Sequence, residues 1–272
     1  MTGSTPPAGP ARRPLDLTPG ATNLFVFSHP NHELAVFGLL RRLRPRLVYL
    51  TDGGDEARVQ QTREGLERIG LAEQAHFLNY TERTCYDALL ARDVAFFADV
   101  ADRVRARCSD VEPRQVFCDA VEFYNPLHDL TLPIVTAALG DTAAAIFEVP
   151  LVYQQPGPRE TYAVQRLPPS RCGSQSEVSL ETEELAAKLA ARGDGYSILQ
   201  AQMGPVLSGL SEAHLTKEIV ASAPVALPLP SADCVLRYEW RAQRLLDRGE
   251  IDRAITYADH YLPVASALFR SS

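Results

Sequence analysis

His29 and His32 are the residues of this chain whose type and spacing best suit chemistry. They lie in Asn23-Leu24-Phe25-Val26-Phe27-Ser28-His29-Pro30-Asn31-His32-Glu33-Leu34, where a short apolar run breaks at a Ser-His-Pro turn and an apparent helix restarts at Glu33. A buried parallel strand hands over to a helix in this way, and open α/β sheets bind ligands in the crevice beyond the carboxyl ends of such strands. Two imidazoles three residues apart can both turn inward there on a divalent metal. A second stretch, Cys118-Asp119-Ala120-Val121-Glu122-Phe123-Tyr124-Asn125-Pro126-Leu127-His128-Asp129, follows a later apolar run. If the two strands flank the point where strand order reverses, their loops face each other and His128 joins His29 and His32. Three neutral imidazoles plus a water make a tetrahedral zinc site with an open position. Imidazole suits nickel, copper and iron as well, so the pattern does not fix the metal. Tyr124 is placed to hydrogen-bond a developing oxyanion.

Each of these residues has a plainer reading. His29 can be a turn histidine, His32 a solvent-facing residue of a first helical turn, and His128 a satisfied polar group at a helix start. Asp119 and Asp129 can simply cap helices. Asp52-Gly53-Gly54 reads equally as turn chemistry, and Arg63 with Glu64 as a solvated helical pair. His76, His214 and His260 have no motif around them.

The elements that would position the histidines alternate. Strands are expected at Leu24–Ser28, Leu47–Leu50, Ala75–Leu78, Gln115–Cys118 and Ala145–Val149. Helices are expected at Glu33–Arg44, Gln60–Ile69, Ala88–Cys108 and Leu130–Leu139. Strand–helix alternation with short turns predicts an α/β, Rossmann-like, doubly wound and mostly parallel sheet with helices on both faces. After Pro150 the pattern loosens: Leu151–Arg166 suits a β-hairpin, Pro168–Ser176 a turn-rich loop, and helices are expected near Leu180–Ala191, Ala232–Arg248 and Ile255–Phe269. The expected organisation is therefore a flexible tail over 1–20, a Rossmann-like metal-binding core over 21–150, and a C-terminal hairpin and helical extension over 151–272 packed on the core.

Bulk properties exclude several classes. The 272 residues suffice for a full core. With 46% apolar and 22% charged residues the composition is ordinary for a globular protein. A net charge of −7 argues against a nucleic-acid or anionic-membrane surface, and no apolar stretch approaches the roughly 18 residues of a membrane span. Residues 1–20 lack the apolar core of an export signal. Five scattered cysteines without a Cys-x-x-Cys argue against a disulfide framework, so a reducing cytoplasm is expected. The first turn offers His-Pro-Asn-His in place of a glycine fingerprint, and Pro30 removes a backbone donor, so no nicotinamide or flavin nucleotide is expected.

Several segments, in order, resemble the PIG-L/LmbE-like zinc-dependent de-N-acetylases, a family acting on N-acetylglucosaminides, mycothiol precursors and antibiotic intermediates. Ser28-His29-Pro30-Asn31-His32-Glu33-Leu34 resembles the family's His-Pro-Asp-Asp-Glu signature. Leu50-Thr51-Asp52-Gly53-Gly54 resembles its Leu-Thr-x-Gly turn, Arg63–Gly70 its Arg-x-x-Glu helix ending in Leu-Gly, and Asn125-Pro126-Leu127-His128 its His-Pro-Asp-His motif. The resemblance covers about residues 20–150. It implies metal ligands at His29 and His128 and places His32 where the family has an aspartate ligand. It also places Asn31 at the general-base aspartate, Asn125 at the histidine that assists the transition state, and Leu127 at the aspartate after it. An amide cannot take a proton at neutral pH, and general-base catalysis is worth roughly 10²–10⁴-fold. Glu33, which matches the family's own glutamate, and Asp129 beside His128 are the replacement carboxylates ranked first.

Two functions follow as expectations. The first is a zinc-dependent amidohydrolase acting on an amino sugar or other small biosynthetic intermediate. The second is a relative that has lost its base and performs a non-hydrolytic metal-dependent reaction in secondary metabolism, or binds a metal or ligand silently. An all-imidazole ligand set leaves a dication uncompensated, which favours binding an anionic small-molecule substrate or hydroxide. Self-association is left open.

Overall fold

A computed structural model describes residues 14–270 except 21, 110, 141, 208, 209, 211 and 233. Five parallel strands form the centre: β1 (Asn23–Phe27), β2 (Arg46–Thr51), β3 (Ala75–Tyr80), β4 (Gln115–Asp119) and β5 (Ala145–Val149). After a hairpin of β6 (Val152–Gln155) and β7 (Thr161–Val164), two further strands, β8 (Gln175–Ser179) and β9 (Lys217–Ser222), complete a seven-stranded sheet. Its order is β3-β2-β1-β4-β5-β9-β8, with β9 antiparallel to both β5 and β8. The doubly wound, mostly parallel α/β fold expected from the alternation is present. β1 and β4 are neighbours with the order reversing between them, which is where such a fold builds its crevice.

Period-two alternation explains the layers. Along β1, Leu24 and Val26 enter the apolar core on one face of the sheet while Phe25 and Phe27 enter the core on the other. The first core is covered by α3 (Glu82–Leu90), α4 (Val94–Cys108), α5 (Pro126–Leu139) and, from the far end of the chain, α10 (Leu262–Arg270). The second is covered by α1 (Phe37–Leu43), α2 (Glu56–Arg68), α6 (Thr182–Ala190) and α7 (Ser197–Leu207). The short α8 (Glu212–Leu215) precedes β9, and α9 (Arg237–Asp247) precedes α10.

The structure corrects several expected boundaries. The helix expected over Glu33–Arg44 is a 3₁₀ segment, His32–Val36, followed by α1. The long helix expected over Ala88–Cys108 is two helices, because Arg92 adopts φ 55° and Asp93 starts α4 by accepting the Phe96 N–H. The helix expected from Leu130 starts at Pro126, with Pro in its favoured first-turn place and Asn125 capping through the Leu127 N–H. Pro133 inside α5 cannot donate to the Asp129 carbonyl four residues back. The Tyr261 hydroxyl donates to that carbonyl instead, at 3.1 Å, tying the C-terminal segment to the helix that carries His128. Of the tail expected over 1–20, residues 1–13 lie outside the described residues. Residues 14–20 are held: the Asp16 N–H donates to Gln115, the Gln115 amide donates back to the Asp16 carbonyl, and Leu15 and Leu17 pack on the second core.

Candidate metal centre and cavity

The turn after β1 carries His29 and the 3₁₀ segment carries His32. His128 sits in the first turn of α5, so the cap at Asn125 and the start at Pro126 deliver its ring to the same crevice. Ring centres are 5.2 Å apart for His29 and His32, 5.1 Å for His29 and His128, and 4.4 Å for His32 and His128. Three imidazoles bonded to one tetrahedral ion at about 2.0–2.1 Å would have ring centres about 5 Å apart. Yet among the described residues no three His, Cys, Asp or Glu side chains stand arranged to hold a metal ion. The ring centres nonetheless converge to within 4.4–5.2 Å of one another.

The hydrogen bonds settle two tautomers. Thr51 Oγ1 gives its proton to the Ser28 carbonyl (2.8 Å), so it accepts from His29 Nδ1 at 2.8 Å. The carboxylate of Glu82 lies 3.1 Å from the same Nδ1. His29 Nε2 is therefore the lone-pair nitrogen, and it is buried without a partner. His32 Nδ1 faces Asp119 Oδ2 at 3.0 Å, an acceptor that also takes the Ser28 N–H (2.7 Å) and hydroxyl (2.6 Å). That leaves His32 Nε2 as its lone-pair nitrogen. Carboxylate or hydroxyl partners on Nδ1 fix ring orientation in this way at metal sites. Buried His128 Nδ1 also lacks a partner. Burial drives His29 and His128 well below the usual imidazole range, with the neighbouring His32 adding to the effect, so both rings are neutral at pH 7. The neutral rings of His29 and His128, each with an unpartnered nitrogen, fit a divalent transition metal.

The remaining expected residues divide between the cavity and the packing behind it. Asn31, Tyr124 and Asn125 line a cavity of about 500 Å³ together with the three histidines. Asn31 has φ 79°, a left-handed conformation that Asn tolerates. Its amide donates to Thr62 Oγ1 at 3.1 Å, and its carbonyl accepts from Arg58 Nε at 3.3 Å. Asn125 is committed as a helix cap and donates weakly to the Tyr86 hydroxyl at 3.3 Å.

The two carboxylates ranked first as bases do not line the cavity. Glu33 is fully buried and accepts from Thr62 (2.7 Å) and Tyr196 (2.8 Å). Gly65 makes room for that contact, since a Cβ there would collide with the Tyr196 hydroxyl. Asp129 is also fully buried, pushed up to about 8 by burial, and accepts the N–H groups of Glu122 (2.8 Å) and Phe123 (3.1 Å). Phe123, at φ 59°, occupies a backbone region costing about 1–3 kcal/mol, so Asp129 braces a strained loop. The carboxylate that does line the cavity, alone among the described residues, is Glu82. Sequence reasoning missed it because the helix there was expected only from Ala88. The signal was Thr81, whose side chain caps α3 through the Thr84 N–H directly after β3. Burial raises the Glu82 carboxyl above its usual range, partly opposed by Arg58. Arg58 was missed too; it donates to the Pro30 and Gly53 carbonyls at 2.8 and 3.0 Å and so clamps the histidine turn.

No protein-family model and no curated protein matches the chain. Among solved structures, the antimicrobial reagent A40926 pseudoaglycone deacetylase Dbv21 is similar at 14% identity and a TM-score of 0.52, over 76% of this chain and 97% of that one. A deacetylase mutant of the teicoplanin biosynthetic pathway is similar at 12% identity and a TM-score of 0.48, over 74% and 96%. The conserved protein TT1542 from Thermus thermophilus is similar at 20% identity and a TM-score of 0.45, over 78% and 99%. The likeness to the first establishes a shared α/β fold, and a fold does not by itself assign a reaction. No helix among the described residues is long and apolar enough to cross a membrane.

Proposed function

We propose that this chain is a metal-dependent amidohydrolase of the de-N-acetylase type, acting on an N-acylated amino sugar or other small biosynthetic intermediate. The observation that carries this reading is the meeting of three imidazoles, two of them held neutral by burial, where the strand order reverses. His29, His32 and His128 would hold the ion. Zinc, or another divalent transition metal, would supply Lewis acidity towards the amide carbonyl.

The chain's own residues do the rest. Thr51 and Asp119 keep the Nδ1 protons of His29 and His32 on the side away from the lone pairs. Tyr124, whose ring lies 6.3 Å from that of His128, is the candidate donor to a developing oxyanion, and burial keeps its hydroxyl protonated. Glu82 lies against His29 Nδ1, on the side away from the lone pair, and so helps to orientate that ring, while the Asn31 amide cannot take a proton from attacking water. The shared fold with a deacetylase supports the same reading.

A second reading is favoured by Asn31 and Asn125, two cavity amides committed to Thr62, Arg58 and the α5 cap. On that reading the scaffold binds metal and substrate without hydrolysing an amide. Elemental analysis of protein purified without chelator, with an amine-release assay on N-acetylated sugars, separates the two. The hydrolase reading expects about one metal per chain, lost in His29→Ala and His128→Ala, and measurable amine release. Metal without amine release on any acylated sugar supports the second reading, and a metal-free wild type overturns both.

A further inference from the structure

Besides the three histidines, the cavity has a second set of lining residues with different chemistry. There α7 presents Leu199, Met203 and Val206 to the cavity. The spacing i, i+4, i+7 puts all three on one face of the helix. The facing wall is the start and end of the β6–β7 hairpin, with Leu151, Val152 and Val164, and α7 packs against β7. Two polar groups among the lining residues are already engaged. Lys188 Nζ donates to Glu218 (2.8 Å) and to the Ala35 carbonyl (3.0 Å), and the Gln165 amide donates to that same carbonyl at 3.0 Å. These six apolar side chains line the same cavity as the three histidines, as an apolar slot would.

We infer that this slot is an acyl-chain subsite, so that the substrate class is amides of straight-chain fatty acids longer than acetate. The inference rests on reading the histidine end as an amide-binding site. A cavity of about 500 Å³ falls within the range that holds a whole drug-sized ligand, far more than an acetyl group needs beside the three rings. An alkyl chain carries no polar group to leave unpaired, and its burial replaces water on the α7 and hairpin walls. Each methylene that enters such a slot should tighten binding about fourfold.

Calorimetric titration of the full-length protein with N-alkylsulfonyl-glucosamines from methyl to octyl tests this. These probes keep the sugar and the chain but have no cleavable carbonyl, so binding is read whether or not the protein hydrolyses amides. The expected result is a Kd falling about fourfold per methylene over at least four carbons, with the gain erased in Met203→Trp, whose ring fills the slot. The wild-type series is informative even if Met203→Trp does not fold. A flat series, no binding of any member, or a gain that persists in folded Met203→Trp overturns the subsite. A rising series erased by Met203→Trp upholds the subsite even if no amide is ever cleaved, so it can stand when the hydrolase reading fails.

Discussion

Asn31→Asp is the perturbation that bears most directly on the chemistry. The backbone there has φ 79°, and Asp tolerates the left-handed region nearly as well as Asn. The substitution removes the amide donor that reaches Thr62 Oγ1 at 3.1 Å, and Thr62 cannot turn its own proton to the new carboxylate because it gives it to Glu33 at 2.7 Å. Losing that bond costs about 1–3 kcal/mol. Against this, the Arg58 Nε that now donates to a neutral carbonyl at 3.3 Å would donate to a carboxylate, and hydrogen bonds to charged groups are worth about 1.5–3 kcal/mol. The two nearly offset, so the variant should fold with Tm within about 5 °C of wild type.

Its effect on rate should be much larger. A positioned general base is worth roughly 10²–10⁴-fold. With Asn125 still committed to its cap, a gain of at least about tenfold in amide hydrolysis is expected. The assay is amine release from N-acetylglucosaminides by metal-loaded protein, with thermal unfolding as the control for folding. A folded, metal-loaded Asn31→Asp that hydrolyses no faster than wild type would refute the idea that the missing carboxylate limits turnover.

Further perturbations address the supporting groups. Glu82→Gln should leave bound metal in place, because Thr51 still accepts from His29 Nδ1, and should lower amine release by no more than about tenfold; a loss of about 10²-fold or more would instead mark Glu82 as the general base. Lys188→Met leaves Glu218 fully buried with only the Gly38 and Leu39 N–H groups for partners. It should lower unfolding free energy by about 3–5 kcal/mol in denaturant titration, and an unchanged midpoint would contradict the ion pair. Burial pushes the Cys85 and Cys108 thiols up to about 12 and about 11, and Cys118 well above its ordinary range. Mass spectrometry after iodoacetamide treatment at pH 7.5 should therefore find all three unmodified in native protein and alkylated after denaturation.

What the sequence made legible follows from periodicity. The apolar run of β1, its partner runs at β2, β4 and β5, and the short turns between them were enough to place the crevice. The strands β8 and β9 were not legible, because Gln175–Ser179 and Lys217–Ser222 mix charge into short stretches. Their pairing with each other and with β5 across long sequence separations is a tertiary fact that local pattern does not carry. The helix α7 was missed for a related reason. Its face at 199, 203 and 206 meets a cavity as well as the core, so it lacks the strong two-sided contrast that marks an ordinary surface helix. The kink that separates α3 from α4 depends on Arg92 at positive φ, which nothing in residue type announces.

The candidate site shows the same division between type and geometry. Residue type nominated the histidines, and the fold brings all three rings together, because two loops at adjacent strand ends must meet. Residue type also nominated Glu33 and Asp129 by their closeness in sequence to His32 and His128. In a 3₁₀ segment and in the first turn of an α-helix, however, a neighbour in sequence points to a different side. Glu33 accordingly turns to Thr62 and Tyr196, and Asp129 to the loop it braces. Among the described residues the cavity's carboxylate is Glu82, with Arg58 close enough to oppose the rise of its carboxyl. Imidazole ligands add no negative charge to that balance, so a bound dication would deepen the positive potential at the histidine end. On the proposed reading, a substrate that pairs an anionic head group with an apolar chain is the one that would complement both the histidines and the α7 face.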